Sequence, residues 1–248
     1  MTDVLGWRKV FGVLGPSTNT VVQPDFDDLR VPGVTNHYSR IIVQNPTALS
    51  NEDFLAGTSA IDAATHDAVR AVMTCEPDYL VLGMSAVTFY GGAEGAAKWT
   101  RKVEDIAGVK LCTGALSLIE AFKAYGNIRK IAVLSPYFPV ANEQVGRFMS
   151  DYGYEMVRDK PLQCQSWLHI AKTTPAQLRD VILELDGDDV DAIVQVGTNL
   201  SMMRMAAAAE VFLQKPVIAI NTATYWNALR QNGIMDRKEG FGRLMAEF

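Results

Sequence analysis

Cysteine is scarce in this chain: Cys75, Cys112 and Cys164 are the only three in 248 residues, and no two form a CxxC pair. Three thiols cannot close a disulfide framework, so reduced thiols in a cytoplasmic setting are expected. Histidine is equally thin, with His37, His66 and His169 dispersed and no cysteine or carboxylate beside them at ligand spacing. A metal site is therefore not expected. Charge never gathers into a run of one sign, and the net charge is −5, which argues against a nucleic-acid or anionic-membrane surface. No apolar run approaches the roughly 20 residues of a bilayer span. The start Met1-Thr2-Asp3-Val4 has neither the basic nor the apolar part of a signal peptide. No GxGxxG follows the first apolar run, which counts against a Rossmann-type nucleotide module. These absences leave a small molecule as the expected partner.

What the chain does have is one design written twice. Arg8-Lys9-Val10-Phe11-Gly12-Val13-Leu14-Gly15-Pro16 is echoed by Arg129-Lys130-Ile131-Ala132-Val133-Leu134-Ser135-Pro136. Asp78-Tyr79-Leu80-Val81-Leu82-Gly83-Met84-Ser85 is echoed by Asp191-Ala192-Ile193-Val194-Gln195-Val196-Gly197-Thr198. The offset, about 110 to 120 residues, is the size of one small domain. A hydrophobic content of 48% supplies a core for each half. The expected fold is α/β, with two pseudo-symmetric domains built on parallel sheets and a cleft between them. The halves are placed at residues 1–115 and 116–222, with the stretch 223–248 returning to the first.

The segment from Asn45 to Cys75 holds a helix start at Ser50-Asn51-Glu52-Asp53 and an amphipathic continuation. Tyr79 to Met84 is apolar at nearly every position, as in a strand covered on both faces. Helices are expected near 91–103, 139–152, 175–186, 200–213 and 222–232, and strands near 109–112, 130–135, 191–196 and 217–220. His37 is placed in a solvated loop, His66 on a polar helix face, and His169 as a packed histidine in an apolar run.

In parallel α/β sheets ligands lie beyond the carboxyl ends of the strands. Four such ends carry small hydroxyl or amide residues: Gly15 to Thr20, Gly83 to Thr88, Ser135 to Tyr137, and Gly197 to Ser201. Helix caps favour the same residue types. Four loops at equivalent strand ends nevertheless describe an anion pocket of backbone N–H and hydroxyl donors.

At these loops the sequence resembles the aspartate/glutamate racemase superfamily, in its arylmalonate decarboxylase and maleate cis-trans isomerase branch. Pro16-Ser17-Thr18-Asn19-Thr20 is similar to the isomerase Pro-Ser-Ser-Asn-Thr, and His37-Tyr38-Ser39-Arg40 to its His-Ser-Ser-Arg. Thr88-Phe89-Tyr90-Gly91-Gly92-Ala93 resembles the decarboxylase Ser-Phe-Tyr-Arg-Gly-Ala. Tyr225-Trp226-Asn227-Ala228 and Gly240-Phe241-Gly242-Arg243-Leu244 resemble its Phe-Trp-Asp-Ala and Gly-Tyr-Gly-Arg-Leu. The resemblance implies a carboxylate substrate between the halves, with neither metal nor organic cofactor. It also implies a cysteine after the second strand of one or both halves. Here those positions fall at Ser85 or Ala86 and at Gly197 or Thr198, and neither holds cysteine.

What remains is the anion-holding half of that chemistry. Tyr137 matches a decarboxylase tyrosine that helps hold a carboxylate, and Asn19 matches the isomerase's substrate-binding asparagine. With Ser85, Thr198 and Asn199 they form a candidate dioxyanion hole that stabilises an enediolate; Ser17, Ala86 and Gly197 belong to the same loops. A Ser or Thr hydroxyl is too weak an acid to replace cysteine unaided, so Tyr137, Tyr90 and His37 are the candidate proton donors. Tyr90 also reads as a core aromatic with its hydroxyl at the rim. Three functions stay open: a cofactor-independent lyase or isomerase, a carboxylate-binding or sensing protein that lost the chemistry, and a periplasmic-binding-like module. The partner is a small carboxylate, with no nucleic acid and no membrane, and homo-oligomerisation is left open.

Overall fold

The computed structural model describes residues 3–44 and 47–248. Met1 and Thr2 of the chain start, and Asn45, which opens the second segment, lie outside the described residues. The elements run β1 Lys9–Pro16, α1 Val22–Leu29, β2 Val34–Ile41, α2 Asn51–Val72, β3 Tyr79–Leu82, α3 Gly92–Ala107, β4 Leu111–Cys112 and α4 Gly114–Tyr125. They continue with β5 Lys130–Ser135, α5 Pro139–Asp151, β6 Glu155–Pro161, α6 Trp167–Ile170, α7 Pro175–Leu185, β7 Ala192–Gln195, α8 Met203–Leu213, β8 Val217–Ala219, α9 Ile220–Gln231 and α10 Arg243–Glu247.

Two four-stranded sheets result, in the orders β2-β1-β3-β4 and β6-β5-β7-β8, parallel throughout. Their central strands are the echoed runs. Phe11 to Leu14 of β1, Ile131 to Leu134 of β5 and all of β7 are buried, because helices cover both faces of a parallel sheet; the one polar side chain among them, Gln195, is hydrogen-bonded to the backbone carbonyls that follow it. The echo holds at the strand ends as well. Gly83 N–H donates to Leu14 O at 2.6 Å, and Val196 N–H donates to Leu134 O at 2.9 Å, so Gly83 to Ser85 and Val196 to Thr198 leave their sheets at the same topological place.

Four elements were not expected from the sequence: α1, the strands β2 and β6, and α6, which falls in the stretch around His169 read as a loop. Both strands are edges with one neighbour each, and their sequences, VTNHYSRI and EMVRDKP, carry the polar and charged residues that keep an edge from pairing further. His37 therefore sits within β2 and not in a loop. His66 is half-buried on α2, and His169 is exposed instead of packed, since Trp167 and Ile170 take the buried side of the single-turn α6.

Helix boundaries follow local chemistry. Ser50 accepts from Asp53 N–H at the start of α2, and Thr174 with Gln177 forms a complete capping box ahead of Pro175 at the start of α7. Helix α9 is buried from Ile220 to Leu229 and packs against α4 and α1, which flank the first sheet. No helix among the described residues is long and apolar enough to cross a membrane.

Candidate functional site

The carboxyl ends of β1, β3, β5 and β7 converge on a cavity of about 50 Å³ between the two sheets. At roughly 10 to 15 Å³ per water this is the space of a few waters or of a small organic acid. Pro16, Asn19, Met84, Ala86, Tyr137, Gly197, Thr198 and Asn199 line it from the strand ends, and Thr58 and Ile61 of α2 with Trp167 and Ile170 of α6 close it. No lining residue carries a formal charge.

Its polar corner joins the two halves. Ser85 Oγ lies 2.7 Å from Tyr137 Oη, and the Gly197 N–H donates to the same Ser85 oxygen at 3.2 Å. Local geometry fixes each member. Gly197 has φ +98°, and a Cβ there would stand 2.4 Å from Pro136 Cδ, so only glycine lets this turn press against Pro136. The Gln195 amide donates to the Val196 and Gly197 carbonyls at 2.7 and 2.8 Å and holds the turn. Tyr137 N–H donates to Ser135 Oγ at 3.2 Å, and the Phe54 ring packs on the Tyr137 ring at 5.2 Å. Burial raises the Tyr137 pKa above the ordinary phenol value, against a smaller opposing effect of the Ser85 hydrogen bond. The phenol is therefore a neutral donor across the accessible pH range.

Asn19, Thr198 and Asn199 are also brought together, but most of their polar capacity is spent on structure. Asn19 Oδ1 accepts from Val21 and Val22 N–H, and Asn19 Nδ2 donates to Thr198 Oγ1 at 3.0 Å. Thr198 Oγ1 donates in turn to Gly83 O at 2.9 Å. Asn199 accepts from Thr20 N–H at 3.0 Å and donates to Trp167 O at 2.8 Å. These three stitch the halves together around the corner formed by Ser85, Tyr137 and Gly197. Behind them Asn221 donates to Thr198 O at 2.9 Å and to the buried Asp25 carboxylate at 2.8 Å.

Other expected residues lie apart. Ser17 is exposed, and its hydroxyl accepts from Val43 N–H at 2.9 Å. His37 is exposed on the edge strand, with Nε2 3.1 Å from Thr35 Oγ1. Tyr90 lines a separate groove of about 460 Å³ between α2 and α3, and Thr58 and Val87 stand between that groove and the cavity. Neither His37 nor Tyr90 is hydrogen-bonded to the corner; the Tyr90 hydroxyl is buried without a partner among the described residues, near enough to Tyr137 to act on it electrostatically. Cys112 is buried in the first half, bonded to Ser117 Oγ at 3.2 Å, with burial pushing its thiol up to about 12; Cys75 is exposed and Cys164 half-buried, and none of the three lines the cavity. Among the described residues no three His, Cys, Asp or Glu side chains gather as metal ligands would.

Sequence reasoning missed the roof, Thr58, Ile61, Trp167 and Ile170, with Phe54 packed behind it. The α2 residues follow the i, i+3/i+4 spacing of its buried face, so amphipathicity marked them as core without saying that they cover a cavity. Trp167 opens α6, after a connection from β6 whose path no local signal gives.

The sequence pattern of the arylmalonate decarboxylase family matches residues 56–245. Maleate isomerase of Pseudomonas putida is 27% identical over 136 residues, and that of Geobacillus stearothermophilus 24% over 136 residues. Each alignment covers 54% of this chain, so the chain spans about half the length of the curated relatives it matches, 54% and 53% respectively. In fold, the chain is similar to Nocardia farcinica maleate cis-trans isomerase carrying a covalently bound succinylcysteine intermediate. The TM-score is 0.86 at 19% identity, covering 97% of this chain and 99% of that one. A liganded double mutant of arylmalonate decarboxylase matches with a TM-score of 0.83 at 21% identity, covering 96% and 99%. A pattern matched over most of the chain, on a fold shared from end to end, shows that this chain belongs to the arylmalonate decarboxylase family.

Proposed function

We propose that the protein is a cofactor-independent lyase or isomerase of small carboxylates, with the Ser85, Tyr137 and Gly197 corner as its dioxyanion hole and Tyr137 as its proton donor. The observation that carries this reading is the convergence, from both halves, of two neutral hydroxyls and one backbone N–H at a cavity with no charged lining, with Tyr137 and Gly197 in its wall and Ser85 directly behind them. Neutral donors held in place can bind a carboxylate and stabilise the greater charge of an enediolate without reorganising. When a neighbouring carboxylate leaves as CO2, its bonding electrons pass into that enediolate, and the carbon must then take a proton. Burial disfavours the phenolate and keeps Tyr137 protonated, so it holds a proton to give to a strongly basic carbon and is not a base that could remove one from a substrate. The lyase direction is therefore favoured over two-base racemisation, which requires an acid and a base on opposite faces of one carbon.

A carboxylate-binding or sensing protein is the second reading. It is favoured by the lack of any thiol among the cavity-lining residues, whereas the Nocardia isomerase carries its intermediate on cysteine. Incubating the protein with substituted malonates and with maleate in D2O, and following products by proton NMR, separates the two. Deuterium at the product α-carbon supports the enzyme; saturable binding without product supports the binder.

A further inference from the structure

We propose that the indole N–H of Trp167 makes the site selective for small carboxylic acids that also carry a neutral hydrogen-bond acceptor, such as a ketone, ester or ether oxygen. The inference rests on the carboxylate reading above and adds the second group of the ligand. Trp167 is 8% exposed and forms part of the cavity wall, yet its Nε1 has no acceptor among the described residues. Leaving a buried N–H unpaired is costly, and native proteins seldom do so without a use for it.

The residue is also held firmly. Its carbonyl accepts from Asn199 Nδ2 at 2.8 Å, the preceding Ser166 caps α6 by accepting from His169 N–H at 3.1 Å, and Phe54 packs on its ring at 4.9 Å. The Cζ2, Cε2 and Nε1 edge of the ring faces Gly57, where a Cβ would come within 3.0 Å of Cζ2 and 3.5 Å of Nε1. A single preorganised donor in an apolar, uncharged wall can satisfy one carbonyl or ether oxygen. It cannot offset the desolvation of a second carboxylate, which needs several donors or a cation. Phe54 contacts both rings, 5.2 Å from Tyr137 and 4.9 Å from Trp167, so the neutral acceptor lies a few atoms from the carboxylate.

Three acids of equal chain length test the idea by calorimetric titration: pentanoate, its keto analogue levulinate, and the dicarboxylate glutarate. Levulinate is expected to bind the parent protein roughly fivefold to tenfold more tightly than pentanoate, the increment of one neutral hydrogen bond. Trp167→Phe should bring levulinate and pentanoate to within about twofold of each other, and Tyr137→Phe should weaken all three acids. In the parent protein the Trp167 indole N–H resonance should move downfield with levulinate and not with pentanoate, a readout that survives if Trp167→Phe fails to fold. A levulinate advantage that is absent, or that persists in Trp167→Phe, overturns the proposal; so does an indole resonance that ignores levulinate. Glutarate binding tightest and losing that preference in Trp167→Phe overturns the neutral-acceptor class in favour of a second anion site. If no acid binds the parent at all, the carboxylate reading falls and takes this inference with it; pentanoate binding without a levulinate advantage removes this inference alone.

Discussion

Ser85 and Tyr137 belong to different halves of the chain, and their hydroxyl oxygens meet at 2.7 Å between the two sheets. The Gly197 N–H completes the group from the second half. Because neither half holds the site alone, the site exists only when the duplicated halves are docked.

Tyr137→Phe keeps the ring that packs on Phe54 and removes the hydroxyl. A hydrogen bond to a charged oxygen is worth about 1.5 to 3 kcal/mol, so carboxylate binding should weaken by roughly ten- to hundredfold while the melting temperature stays near that of the parent. Titration of malonate against both proteins checks it, and unchanged affinity would remove Tyr137 from the site.

Gly197→Ala should be far more damaging than its size suggests. The new Cβ meets Pro136 at 2.4 Å in a backbone conformation of φ +98°, and relieving both requires the turn to move. A loss of about 2 to 4 kcal/mol is expected, together with loss of anion binding, since the N–H that donates to Ser85 moves with the turn. Chemical denaturation measures the first effect and titration the second.

The cysteines should be dispensable to the site. Replacing Cys75, Cys112 and Cys164 together is expected to leave ligand affinity and any turnover within a few-fold of the parent, whereas losing a general acid or base costs about a hundredfold or more. Stability should fall through Cys112, whose thiol bonds Ser117 and accepts from Asn227 Nδ2 at 3.6 Å. A hundredfold loss of turnover in a folded triple variant would contradict the account.

Asp25 gives the protein a pH dependence of stability. Burial raises its pKa from 3.8 to about 6, opposed by the hydrogen bond from Asn221; nearby Asp28 adds to the rise and Arg204 opposes it. The folded state thus holds a proton that the unfolded chain has released, and stability falls as pH rises from about 4 to about 6. The loss approaches 3 kcal/mol at most, at about 1.4 kcal/mol per pKa unit. Asp25→Asn should therefore melt higher than the parent at pH 8 and lose that advantage near pH 4, as thermal scans across pH would show.

The sheet cores were legible because a strand buried on both faces must be apolar at every position, as in Leu80-Val81-Leu82 and Ile131-Ala132-Val133-Leu134. Of the four edge strands, the short buried β4 and β8 were legible for the same reason, whereas β2 and β6 were not, since they carry the polar and charged residues of an exposed edge. The strand-end loops pointed to Ser85, Tyr137 and Gly197, but composition alone could not separate those donors from Asn19, Thr198 and Asn199, whose groups are turned to holding the chain. That division depends on rotamers and on contacts 52 to 115 residues apart in sequence. Trp167 was hidden for the same reason, its place in the roof being set by Asn199 and Phe54.

The most direct test is a crystal structure with malonate bound. A carboxylate within about 3.2 Å of Tyr137 Oη and of the Gly197 nitrogen, beside Ser85, is the predicted result. Malonate seated elsewhere, such as the outer groove lined by Arg40 and Asp53 on the far side of Ile61, with the Ser85 to Tyr137 hydrogen bond undisturbed, would contradict it.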